Sequence, residues 1–343
     1  MPNSCAATPW KTSTASPWAC CPTLKAAHPS ASSTDPESIL LPAIALRAAL
    51  TIVLSVLLPA AFAQPVTWND DFGPVTFKQP PRRVVVLDWG LVEQLLAIGV
   101  TPVGVGEPDG YRRWVSTPTL PTSVADVGAR REPNLEAMSQ LRPDLILATP
   151  EYASILPLLN AVAPTMLLAT FDDSGQPLQR SRQITTLLGR MLDHQAQADA
   201  LLKRVDNHFA EARAALAGQA LEPLYLVTFL DERHLRVNGG QGLYQAVLDE
   251  LGLRNAWRGP TSSWGFATIT LAALATPSDA RLVLFEPLPD AAALNRNPIW
   301  KALSAVREQR VDSLPAVWPY GGVSSAERLA LLLKQRFAPS AQP

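Results

Sequence analysis

Beyond residue 21 the chain has no cysteine. The three it holds, Cys5, Cys20 and Cys21, all precede an apolar run at 48–59. That run follows Arg47 and ends in Ala61-Phe62-Ala63, the basic, apolar and small-residue order of a secretory signal peptide, so cleavage is expected before Gln64. The run is short for a membrane span, and no cysteine follows it to carry a lipid. A mature chain beginning there has no disulfide, no thiolate metal site and no cysteine nucleophile. Histidine is nearly as scarce: His28 lies upstream of the cut, and His194, His208 and His234 have no metal-ligand spacing, so each reads as a solvated side chain.

Other absences exclude whole classes. Lys and Arg number 29 against 30 Asp and Glu, and no basic block occurs, so the chain lacks the electrostatic footprint of a nucleic-acid binder. There is no G-x-S-x-G elbow and no Walker loop. Gly104-Val105-Gly106 starts like a dinucleotide fingerprint, but the next glycine is Gly110 and no helix is expected to open there. Asp88, Glu107 and Asp109 have no spacing that asks for paired-carboxylate chemistry and read as turn and cap residues. Nothing here marks an enzyme.

What is present is alternation of short apolar runs with helical patterns, the signature of βα units and parallel sheet. "RVVVLDW" (83–89) reads as a buried strand, "LVEQLLAIGV" (91–100) as a helix closed by Gly99, and "TPVGVG" as the next strand. "NLEAMSQLRPDLILATP" (134–150) follows as a helix capped by Asn134, a Pro-Asp turn and a strand. The second half repeats the order with "LYLVTFL" (224–230), "LYQAVLDELGL" (243–253) closed by Gly252, and "TLAALATPSDARLVLFEP" (270–287). Between them, 176–219 carries Leu and Ala at helical spacing, so one or two long helices join the halves and restrict their relative motion.

The expected organisation is a disordered or over-long N-terminal extension at 1–46 and the signal core and cleavage site at 47–63. A first α/β lobe at 64–172, a linking helix at 173–195 and a second lobe at 196–343 follow. The fold class is α/β, two Rossmann-like lobes with a ligand cleft between them, because α/β sheets bind outside the carboxyl ends of their strands.

The strand-end loops of both halves are rich in aromatics. Trp89, Tyr111, Trp114 and Tyr152 stand on them in the first half, and Trp257, Trp264, Trp318 and Tyr320 in the second. Such rings give rigid, partly polar contact area for a bulky organic ligand. Among them, "VGARREPNLE" (127–136) places Arg130 and Arg131 at a strand–helix junction.

At these residues the chain resembles the periplasmic ferric-hydroxamate siderophore-binding proteins of the ferrichrome-importer type, cluster-III substrate-binding proteins of ABC transporters. The resemblance runs over about 80–337 and is carried by "PRRVVVLDWGLVEQLLAIGVTPVGVGEPDGYRRWV", "LPTSVADVGARREPNLEAMSQLRPDLILATPEY", "NAWRGPTSSWGFATIT" and "LPAVWPYGG". It implies two lobes joined by a long rigid helix, with small motions on binding. It implies that Arg130 hydrogen-bonds the iron-coordinating hydroxamate oxygens, that Tyr152 contacts the same centre, and that Trp89, Trp114, Trp264, Trp318 and Tyr320 line the pocket. The siderophore saturates the iron, so no protein metal ligand and no cofactor are expected.

Arg131 falls at a position that is not basic as a rule and is expected in solvent or beside Glu132. Glu136 matches an acid that docks on an arginine of the inner-membrane ABC permease. The matching acid of the second lobe falls near Leu271-Ala272-Ala273, where none stands, which leaves Glu286 or Glu327 as substitutes. Ala148 and Phe266 depart from the pattern and bear on which siderophore is preferred. The expected function is periplasmic capture of ferric hydroxamates by a monomeric, non-catalytic protein that delivers them to that importer. The alternatives are the same fold holding another iron chelate, haem or a corrinoid, or else a secreted α/β enzyme.

Overall fold

The computed structural model describes residues 65–172 and 174–339; the signal segment, the three cysteines and His28 lie outside them. A two-stranded antiparallel hairpin, β1 (Val66–Asn69) and β2 (Pro74–Phe77), comes first. The first lobe then alternates β3 (Val84–Val86), α1 (Trp89–Ala97), β4 (Gly104–Val105), α2 (Pro108–Trp114), β5 (Ala125–Asp126), α3 (Leu135–Gln140) and β6 (Leu145–Ala148). A 3-10 turn at Pro150–Ile155, α4 (Leu156–Val162) and β7 (Thr165–Leu167) complete it. The five strands β3–β7 are parallel in the order β5-β4-β3-β6-β7.

Residues of β3 and β6 are all buried, as expected of strands covered on both faces, where β-branched and apolar side chains pack without alternation. The strand order reverses between β3 and β6, and the chain leaves both strands at the same sheet edge. Trp89 follows β3 there and Tyr152 follows β6. Two helices of this lobe start on side-chain caps: Asp88 accepts from Leu91 N at 3.0 Å for α1, and Asn134 from Ala137 N at 2.9 Å for α3. One expectation fails here. The stretch after Gly104-Val105-Gly106 does open a helix, α2, with Pro108 at its first position and Arg112 and Arg113 in its last turn.

Two helices, α5 (Pro177–Met191) and α6 (Gln195–Leu216), carry the chain from the first sheet to the second. The second lobe holds β8 (Leu224–Phe229), β9 (His234–Asn238), α7 (Leu243–Leu251), β10 (Phe266–Thr270), a 3-10 turn at Leu271–Ala275 and β11 (Arg281–Phe285). Three short helices, α8 (Ala291–Arg296), α9 (Pro298–Ala302) and α10 (Ser304–Arg307), precede β12 (Val311–Leu314) and α11 (Val323–Phe337). Gly252 ends α7 at φ 70°, the left-handed position that glycine closes most easily.

The second sheet, β10-β9-β8-β11-β12, departs from the all-parallel expectation. β8, β11 and β12 are parallel, whereas β9 runs antiparallel to both β8 and β10. A tight connection through Asp231 turns β8 directly into β9, with the Asp231 carboxylate accepting from Arg233 N and His234 N at 2.7 and 2.8 Å.

One apolar cluster is continuous across the lobes. Val84 and Val86 of β3, Leu188 of α5, Phe209 of α6, Phe285 of β11 and Leu329 of α11 all belong to it. Two smaller clusters lie on the outer side of each sheet. The junction is therefore packed core and not a solvated linker.

Candidate functional site

The strand ends of the first lobe converge on one guanidinium. Arg130 follows β5 and lies with its Cζ 3.8 Å from the centre of the Trp89 indole, while its Nε donates to Glu107 Oε2 at 3.2 Å. Its main-chain carbonyl accepts from the Tyr152 hydroxyl, which also lies 3.2 Å from the Leu87 carbonyl. The side chain is 31% exposed, and its two Nη groups have no hydrogen-bond partner among the described residues. The rigid parts of the arginine are thus held on three sides while the donor fork stays open to the cleft.

The holders are themselves fixed. Trp89 is buried, and its Nε1 donates to the Gly106 carbonyl at 2.9 Å. Helix α2 crosses its ring so closely that a Cβ on Gly110 would fall 2.2 Å from Trp89 Cζ2, which explains glycine there. Glu107 adopts φ 51°, a left-handed conformation that costs a non-glycine residue energy and that puts its carboxylate beside Arg130. Burial raises the pKa of the Asp88 carboxyl, against its hydrogen bond from Leu91 N and the attraction of Arg130. Tyr152 is 8% exposed, and desolvation pushes its phenol up, so it stays a neutral donor.

From Trp89 a row of rings crosses to the second lobe. Trp89 and Trp318 are 5.1 Å apart, Trp318 and Tyr320 5.1 Å, and Tyr320 and Trp264 5.5 Å, the last pair edge to face. Phe171, which follows β7, and Phe266, at the start of β10, meet Tyr320 at 6.0 and 5.9 Å. These centroid separations are those of favourable tilted and T-shaped aromatic pairs. The Nε1 of Trp318 is buried without a hydrogen-bond partner among the described residues. At the far end Arg236 of β9 lies 4.2 Å over Phe266 and 5.7 Å from Tyr320. Burial pushes the Tyr320 phenol up to about 12, with Arg236 acting in the opposite direction.

Behind the row sits a buried carboxylate. Glu93 of α1 accepts from Gly322 N at 3.2 Å and Ser325 N at 2.6 Å, and its Oε2 lies 2.6 Å from the Ser325 hydroxyl. Desolvation, opposed by those hydrogen bonds, raises its pKa to about 7. It caps the start of α11 and so fixes the loop that carries Trp318 and Tyr320.

Of the expected site residues, Arg130, Trp89, Trp264, Trp318 and Tyr320 come together in this row, with Tyr152 beneath Arg130. Trp114 is half-buried on α2 and pairs with no other ring among the described residues. Trp257 packs on the second-lobe core. Arg131 and Glu136 are both exposed. Glu327 cannot serve as a surface acid: its side chain is 10% exposed and takes Arg204 on both oxygens, at 2.9 and 3.0 Å, with His208 at 2.7 Å. His208 is accordingly a hydrogen-bond partner of Glu327 and not merely solvated, whereas Glu286 is exposed after β11. Sequence reasoning missed Phe171, Arg236 and Glu93 as site residues. The alternation His234, Leu235, Arg236, Val237, out, in, out, in, was the available signal for β9 and its outward arginine. Two depressions, of about 660 Å³ beside β1 and β2 and about 700 Å³ between α5 and α7, do not border the row.

Residues 84–317 match the periplasmic binding protein family model. The chain belongs to that family. It is 35% identical over 279 residues to the iron(3+)-hydroxamate-binding protein FhuD of Escherichia coli, covering 81% of this chain and 94% of that one. The Fe(3+) dicitrate-binding periplasmic protein FecB of the same organism is 28% identical over 298 residues, 83% and 92% of the two chains. The crystal structure of Vibrio cholerae FhuD with Fe3+-Desferal superposes with a TM-score of 0.71 at 31% identity, covering 75% of this chain and 99% of that one. The family's two-lobed α/β fold is the one described above, and its members bind substrates for ABC transporters without turning them over.

Proposed function

We propose that this binding protein captures ferric hydroxamate siderophores in the periplasm and delivers them to an inner-membrane ABC importer. The observation that carries the reading is Arg130, clamped by Trp89, Glu107 and Tyr152, with neither Nη group hydrogen-bonded among the described residues. Hydroxamate oxygens bound to iron keep negative charge even in a neutral complex, and a planar two-pronged donor suits a pair of adjacent oxygens. The rings from Trp89 to Trp264 supply the apolar wall for the chelator's backbone. Tyr152 acts through Arg130, because its hydroxyl is committed to the arginine's carbonyl.

Iron is cargo here, enclosed by its chelator. Accordingly the protein needs no metal ligands, and among the described residues no three His, Cys, Asp or Glu side chains gather as a metal site. No helix among the described residues is long and apolar enough to cross a membrane. The periplasmic location rests on the signal pattern before Gln64 and on the relatives. Glu136, exposed in the first turn of α3, is the first-lobe contact for the permease, and exposed Glu286 the candidate on the second. The protein works as a monomer of two lobes, 64–172 and 196–343, across the helical link.

Trp89, Trp264 and Trp318 all line or underlie the row, so binding reports through them. Titration of the purified protein with a ferric trihydroxamate is expected to quench tryptophan fluorescence saturably, with Kd on the order of micromolar or below. An unchanged spectrum from a protein with intact circular dichroism refutes the proposal.

A further inference from the structure

The cleft has a second arginine on its opposite wall. Arg236 lies mid-strand on β9, opposite Thr228 of β8 and Thr268 of β10, and is half-buried. Its guanidinium covers Phe266 and approaches Tyr320, which places it at the other end of the ring row from Arg130. The two guanidinium groups differ in charge balance. Arg130 is met by Glu107 at 3.2 Å and lies close enough to Asp88 to oppose the upward shift that burial gives that carboxyl. Arg236 makes no ion pair among the described residues, and its Nε is buried with no hydrogen-bond partner. A half-buried, unpaired guanidinium is an unusual thing to hold against an aromatic wall unless a ligand supplies the counter-charge.

Resting on the ferric-hydroxamate reading, we propose that Arg236 is a specificity-determining residue that takes a peripheral carboxylate of the chelate, so that the cleft favours ferric hydroxamates bearing a negatively charged end. Arg130 addresses the iron-coordinating oxygens, which every ferric hydroxamate has. Arg236 addresses what differs between them. Its planar fork is suited to a carboxylate, its stacking on Phe266 fixes the fork's plane, and the flanking threonines carry no charge to compete. Among the described residues Tyr320 also faces it, and its phenol, pushed up to about 12 by burial, is neutral at physiological pH. His234, two residues along the strand, is exposed and engaged with Asp231 at 2.8 Å, so that acid is taken.

The test uses one iron core with three ends: ferric desferrioxamine B with its terminal ammonium free, acetylated, or succinylated to leave a carboxylate. Affinities are measured by calorimetry for the wild-type protein, Arg236→Gln and Arg236→Lys. The wild type is expected to bind the succinyl form roughly tenfold more tightly than the ammonium form, with the neutral acetyl form between, and the gap should narrow in high salt. Arg236→Gln should bring the three affinities together, and Arg236→Lys should keep most of the preference. Equal affinities in the wild type, or a preference that survives Arg236→Gln, would overturn the assignment while leaving the hydroxamate reading in place. Failure of all three to bind the wild type would sink the hydroxamate reading itself, and this assignment with it.

Discussion

Replacing Arg130 by alanine removes the one donor whose position three other residues are arranged to hold. The magnitude follows from what the fork can make. A hydrogen bond to a charged group is worth about 1.5–3 kcal/mol net, and the site is partly open, since the side chain is 31% exposed, which favours the lower figure per bond. One bond lost therefore costs about 1.5 kcal/mol and two about 3 kcal/mol, a weakening between roughly tenfold and 150-fold. Two further effects act in the same direction: Glu107 loses its partner and turns its charge on the hydroxamate oxygens, and the Trp89 face is left bare. Arg130→Lys should recover part of the loss, because it keeps the charge but neither the second prong nor the stacking plane. The assay is calorimetry with a neutral ferric trihydroxamate, which removes Arg236's preference from the comparison, with circular dichroism to confirm the fold. Affinity for Arg130→Ala within about twofold of wild type, with the fold intact, would refute the reasoning, since twofold is under 0.5 kcal/mol.

Three other perturbations test the machinery around that arginine. Gly110→Ala places a Cβ 2.2 Å from the Trp89 ring, so it should destabilise the fold by about 1–3 kcal/mol and weaken ligand binding as the indole shifts from beneath Arg130; denaturant melts paired with titration read both. Glu93 carries a pKa near 7 in the folded state against the ordinary 4.5, so the folded protein holds a proton that the unfolded chain releases between those values. Stability should therefore fall as pH rises from about 4.5 to 7, by about 3 kcal/mol in all, and level off above; Glu93→Gln should lose that slope in urea melts run across the range. Glu136→Arg should leave siderophore affinity unchanged, since the side chain is exposed on α3, and abolish or sharply reduce uptake in a reconstituted importer assay.

The parts of the molecule written locally were readable from the sequence. Asp88 and Asn134 announce their helices, Gly252 ends one, and the unbroken valines of β3 announce a strand covered on both faces. The aromatic rings stand out because strand-end loops collect ligand contacts, whereas the ligand role of Arg130 is what the family resemblance implies. The misses are residues whose role is set by a partner far along the chain. Glu93 sits in an apolar helical run with no local signal of its role, and it is buried because the start of α11, more than two hundred residues later, closes over it. Glu327 reads as an exposed helix acid and is instead taken by Arg204 and His208 of α6. Arg236 lies on an antiparallel strand that the βα rhythm of the rest of the chain obscured, although its own alternation gave it away. Helix α2 is masked by glycines at 104, 106 and 110, and its local signals are Pro108 at the first position and the two arginines of its last turn.

The hydrogen bonds from Gly322 and Ser325 to Glu93 tie together two things usually found apart. Glu93 belongs to the first lobe, whereas the stretch it grips leads straight back to Tyr320 and Trp318. The aromatic row and the seam that joins the halves are consequently tied at one point, the Glu93 carboxylate. A change in the angle between the lobes is therefore expected to carry the Trp318–Tyr320 loop with it.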